Sequence, residues 1–217
     1  MNCAICNTRK PRRFCPGVNG EICTICCGTE REQSIDCPLE CEYLREAHRH
    51  EKPPEIDPAT LPNQDIRVTE EFLRDNEAIL ILLASAVMAG AMETVATVTD
   101  FDIREALESL IRTYRALQSG LYYEALPPNP YAAAIHDSVQ ERIANLRERE
   151  TKATGLVTTL RDATVLGLLV FLQRLEYSNN NGRKRSRAFL DFLTGFVVPL
   201  EPDEATSLEP DAPRIIL

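Results

Sequence analysis

The chain has no tryptophan, three histidines and nine glycines in 217 residues, and aromatic residues make up 6% of it. Proteins that hold single-stranded nucleic acid stack bases on several rings, and the few rings here recur at helical core positions. Long apolar runs are also missing. The longest stretch without charge covers residues 78–92, between Glu77 and Glu93, which is short of the roughly 18 residues a membrane span needs. The opening Met-Asn-Cys-Ala-Ile-Cys has no basic stretch leading into an apolar core, so no secretory leader and a cytoplasmic location are expected. Gly-rich phosphate loops, Gly-x-Ser-x-Gly elbows and His-Glu-x2-His zinc motifs are absent. No Glu-x2-His pair of the di-iron kind occurs in the helical part. Nothing here points to an enzyme.

What is present is concentrated at one end. All eight cysteines lie within the first 41 residues, with His48 and His50 close behind. In a reducing compartment that density argues for a metal rather than a disulfide framework. The spacing runs Cys3-x2-Cys6, Cys15, Cys23-x2-Cys26-Cys27, Cys37-x3-Cys41 and His48. A Cys-x2-Cys turn offers two thiolates to one ion, and two such turns complete a tetrahedral site. Cys3, Cys6, Cys23 and Cys26 are therefore expected to hold one ion. Cys15, Cys37, Cys41 and His48 are the set expected for a second, with Cys41 and His48 two turns apart on one helix face. Whether one ion or two is bound stays open. So does the choice between Cys26 and Cys27, because adjacent side chains diverge; Cys27 is a substitute ligand. Zinc suits such a set. Iron is the second choice, since the close ferredoxin run is missing. His50 reads as a solvated helix-end residue. With every position filled by protein, such a site is structural rather than catalytic.

The order of Cys3, Cys6, Cys37, Cys41 and His48 loosely resembles cross-brace zinc fingers of the MYND and HIT type, which end in Cys-x3-Cys beside a helix carrying a histidine. The lone Cys15 and the doubled Cys26-Cys27 depart from that pattern. The resemblance implies a module that binds protein partners. The chain as a whole is also similar to a family of uncharacterised bacterial proteins, through Phe14-Cys15-Pro16-Gly17, the run from Ile22 to Arg31, the run from Cys37 to Leu44, and a second block from Asn181 to Leu193. That similarity implies a bacterial source and no particular activity.

The remainder reads as mainly α. Residues 1–50 form the cysteine-rich module, 51–67 a proline-broken linker, 68–198 a roughly five-helix antiparallel bundle, and 199–217 an acidic disordered tail. Thr69 ahead of Glu70 and Glu71 starts a helix expected to run to about Met92. Ile103, Ala106, Leu107, Leu110, Ile111, Tyr114 and Leu117 form one face of the next. Asn129 caps a helix with Pro130 at its first position. A strongly apolar helix is expected from Leu156 to about Tyr177. The last carries Phe189, Phe192, Leu193 and Phe196. Tyr122 and Tyr123 read as packing residues at a helix end. His136, the one histidine outside the module, is not expected to face Asp137. The tail ends in three hydrophobes, Ile215, Ile216 and Leu217, suited either to capture by a partner or to packing on the bundle.

The formal charge is -9, from 24 Lys+Arg against 33 Asp+Glu, and the first fifty residues balance. Acidic character disfavours broad nucleic-acid binding. Two basic runs keep that alternative in view: Arg9, Lys10, Arg12 and Arg13, and Arg183, Lys184, Arg185 and Arg187. The second begins a helix, where cations oppose the dipole unless an anion compensates. Pairing with the chain's own carboxylates is the plainer expectation. The function expected is a non-catalytic, zinc-stabilised interaction or regulatory module that binds a protein partner or a second copy. Nucleic-acid association through the two basic runs and a thiol-based redox sensor using a spare Cys27 are the alternatives.

Overall fold

A computed structural model describes residues 2–52, 55–93, 98–155 and 160–196. The acidic tail and its hydrophobic end lie outside the described residues. Within them the protein is mainly helical, with one small sheet. A hairpin of β1 (Arg13–Cys15) and β2 (Gly20–Ile22) pairs Arg13 with Ile22, Phe14 with Glu21 and Cys15 with Gly20. Two short helices follow, α1 (Thr24–Glu30) and α2 (Glu42–His50). Ile22, Ile35 and Leu44 are buried among the cysteines. Three large aliphatic residues are too little for an independent core, so this module depends on its thiols.

Residues 55–69 are irregular apart from a 3-10 turn, Pro58–Thr60, as their prolines require. They are nevertheless fastened down. Arg174 donates to the carbonyls of Asn63 (2.7 Å) and Ile66 (2.9 Å), and Arg115 bonds Asp65 and Asn63. The segment read as a linker is thus a strap across the helices.

The helical part comprises α3 (Glu70–Asp75), α4 (Glu77–Met92), α5 (Asp100–Gln118), α6 (Pro130–Thr154), α7 (Asp162–Asn179) and α8 (Ala188–Phe196). These are six helices where five were expected. The extra one arises at Asn76, whose backbone (φ -120°, ψ 19°) leaves the helical region and whose amide donates to Phe72 O at 2.8 Å. Thr69 does cap as expected, accepting the Phe72 N–H. The apolar α7 starts at Asp162 rather than Leu156; Leu160 and Arg161 are not helical, and residues 156–159 lie outside the described ones.

α4 packs along α6, and α5 lies against both α6 and α7. α8 crosses α4, α5 and α7. The α4–α6 seam is close because it is built from small residues. A methyl group on Gly90 would stand 2.8 Å from Ile135 Cα, and the Ser138 hydroxyl donates to Ala86 O at 2.9 Å. Between α5 and α7, Arg104 forms a two-pronged ion pair with the fully buried Glu176 (2.7 and 3.0 Å). Asn180 donates a further bond to that carboxylate.

Candidate metal centre

Cys3 and Cys6 sit on the turn before the hairpin, Cys23 follows β2 directly, and Cys26 lies in the first turn of α1. The turn is pinned to the hairpin by Ala4 N–H donating to Glu21 O (2.9 Å) and by Arg12 N–H donating to Ile22 O (2.9 Å). This brings the four sulfurs within 4.8 Å of one another. Four thiolates about 2.3 Å from a tetrahedral ion stand about 3.8 Å apart, so the set fits a metal ion as it is. Backbone amides already aim at the sulfurs: Cys23 N–H donates to Cys3 Sγ (3.2 Å) and Cys26 N–H to Cys23 Sγ (3.4 Å). Hydrogen bonds from Thr8 draw the Cys6 thiol down to about 5. Burial first, then the neighbouring sulfurs, pushes Cys26 up to about 12. All eight cysteines are free thiols.

His48 was expected beside Cys15, Cys37 and Cys41. The structure instead puts it between two carboxylates. Its Nδ1 lies 2.8 Å from Asp191 Oδ2 on α8, and its Nε2 lies 3.1 Å from Glu32 Oε2. Neither ring nitrogen is left for a thiolate-bound ion. Burial alone would pull the imidazole down, but these two carboxylates hold it up at about 9. Glu32, His48 and Glu51 approach one another closely, yet the group is internally matched: a protonated imidazole, Asn181 donating to both glutamates, and Arg183 at 3.3 Å from Glu51.

These contacts belong to a joint between the cysteine module and the bundle. Glu32 is buried, with a left-handed backbone (φ 53°) unusual outside glycine. Its carboxylate accepts from Arg187 N–H (2.7 Å) and Asn181, and its carbonyl accepts from Arg185 N–H (2.7 Å). Arg183 donates to Arg31 O, Arg185 pairs with Asp36, and the buried Arg187 donates to Cys37 O (2.9 Å) and Val98 O (3.0 Å). Asp100, fully buried at the start of α5, accepts the Phe189 and Leu190 amides and so caps α8 from a distance. Burial pushes that carboxyl up to about 6. The second basic run therefore has its compensating anions inside the protein: three of its four cations hold the joint, and Lys184 is exposed.

The first run is engaged only in part. Arg9 is raised by a bond to Cys23 and by the charge of Cys6. Arg13 stacks on Tyr43, 3.8 Å from the ring centroid. Lys10 and Arg12 are exposed.

Sequence reasoning missed Glu32, Asp100 and Asp191, which lie far apart in the chain and carry no spacing signal. Two other expectations are corrected. Tyr122 is 98% exposed and Tyr123 65%, so neither packs. His136 is buried, and its Nδ1 does lie 3.2 Å from Asp137 Oδ1. No described helix is long and apolar enough to cross a membrane. Comparison of the chain with protein-family models, with curated proteins and with solved structures finds no match.

Proposed function

We propose that the chain is a non-catalytic interaction protein whose N-terminal module is folded by zinc and held rigidly on a helical bundle. The observation that carries this reading is the four-sulfur set of Cys3, Cys6, Cys23 and Cys26, closed on all sides by protein ligands. Zinc accepts four thiolates in a tetrahedron without redox demand, and a filled coordination sphere leaves no position for a reacting water. The module leaves Phe14 and Ile25, each 53% exposed, and Tyr43, 41% exposed, at its surface. Large exposed apolar side chains on a rigid module suit a protein partner. The engagement of Arg183, Arg185 and Arg187 within the chain favours that partner class over nucleic acid.

The test has two arms. Elemental analysis of the purified chain should find zinc, and Cys6→Ser should lower it and abolish the module's protected amides in hydrogen exchange. A photocrosslinking residue placed at Ile25, in cells of the source organism, should yield a discrete protein adduct that disappears in the Cys6→Ser background. A zinc-free chain with an ordered module would refute the metal reading. Adducts unchanged by Cys6→Ser would refute the interaction reading.

A further inference from the structure

We infer that Cys15, Cys27, Cys37 and Cys41 hold a second zinc ion, bound wholly by thiolates, inside the cysteine module and next to the loop that the bundle grips. This deepens the zinc reading of the first centre and rests on it. The four residues come from four different elements: the end of β1, the middle of α1, the loop before α2, and the N-cap of α2. Their sulfurs are less tightly gathered than the first set, no three of them lying within 4.8 Å of one another, but all four line one small cavity of about 10 Å³ beside Ile22 and Leu44. That is room for about one water-sized sphere.

The doubled cysteine explains itself in this arrangement. Successive residues on a helix point about 100° apart. Cys26 faces the first centre with Cys23, so Cys27 must face elsewhere, and it faces this cavity. α1 thus offers one ligand to the first centre and one to this cavity. With His48 committed to Glu32 and Asp191, Cys27 is the fourth ligand that Cys15, Cys37 and Cys41 need.

Charge supports the assignment. A zinc ion with four thiolates carries a net charge of -2, which a nearby guanidinium stabilises. Arg9 lies against Cys23 and Cys6 at the first centre. Arg13 plays the same part at the second: its Nη1 is 3.7 Å from Cys27 Sγ, and its buried Nε has no partner. Cysteines serving only as small hydrophobes would have no use for this cation. The ion would also brace the loop that the bundle grips, since Cys37 O accepts from Arg187 and Asp36 pairs with Arg185.

Zinc per chain, measured by mass spectrometry of the native protein, tests this directly. The intact chain should carry two ions. Cys27→Ser and Cys41→Ser should each carry one, as should Cys6→Ser, while His48→Gln keeps two. Because a variant can misfold, cadmium-113 NMR of the intact chain is the companion measurement, and it should give two resonances, both in the four-sulfur range. A single ion lost on Cys6→Ser would overturn the second centre and leave the first standing. No zinc at all would overturn both. Two ions with a resonance in the three-sulfur, one-nitrogen range, and with one ion lost on His48→Gln, would overturn the ligand set.

Discussion

The joint at His48 yields a prediction that can be worked through. The imidazole lies between Glu32 and Asp191, with Glu51, Arg49 and Lys52 around the same cleft. Moving it from its ordinary value of 6.5 to about 9 is worth at most about 3.5 kcal/mol, at about 1.4 kcal/mol per tenfold. The His48 side chain is 8% exposed and Asp191 20%, so solvent screening reduces this to about 1–2 kcal/mol. The sign follows from linkage. A group whose folded value is raised binds its proton more tightly in the native state. Its stabilisation is complete below 6.5 and is lost as the pH rises through about 9. Urea unfolding of the zinc-loaded protein from pH 6 to pH 10 would measure this, with His48→Gln as the reference in which other titrations cancel. The wild type should lose about 1–2 kcal/mol more than His48→Gln across that range. Parallel profiles would show that His48 does not carry a proton at the joint, and the electrostatic account would fall.

Three further outcomes are expected of the bundle. Gly90→Ala sets a methyl group 2.8 Å from Ile135 Cα, so α4 and α6 must separate, at a cost of about 1–3 kcal/mol in chemical denaturation. Arg104→Met leaves the Glu176 carboxylate buried with only Asn180 for company, and should cost about 3–5 kcal/mol. Adding Glu176→Leu should recover much of that, and a double mutant no better than the single would refute the pairing. Asp102→Ala removes the acceptor of the Thr99 amide and hydroxyl and of Asn129. It should cost about 1–2 kcal/mol and fray the first turn of α5 in amide exchange.

The helices were legible where periodicity and caps agree. Thr69 and Asn129 cap as their chemistry predicts, and the face from Ile103 to Tyr114 is buried. The break at Asn76 was not legible, because its neighbours are good helix formers and only the side-chain bond back to Phe72 reveals it. Cys3, Cys6, Cys23 and Cys26 were legible because each pair is local and a tight turn dictates where both sulfurs go. His48 misled for the opposite reason. Its helical spacing from Cys41 is real, but what it meets is decided by Asp191, 143 residues away. The basic run at 183–187 announced a need for anions without saying which. Glu51 and Asp36 pair with Arg183 and Arg185, and Glu32 and Asp100 accept the amides at the start of α8, from two other parts of the chain.

The joint also orders events in time. Arg187 reaches Glu32 across 155 residues of chain. A ribosome adding about 5–20 residues per second finishes the cysteine module long before the loop it grips exists. For roughly ten to thirty seconds on that scale, the nascent module has no bundle to lean on, and the Glu32 carboxylate has neither Arg187 nor Asn181. On the zinc reading proposed above, ion capture near the start of synthesis would hold those fifty residues in shape through the wait, and a cell short of zinc would face a defect at the beginning of the chain that its last helices cannot repair.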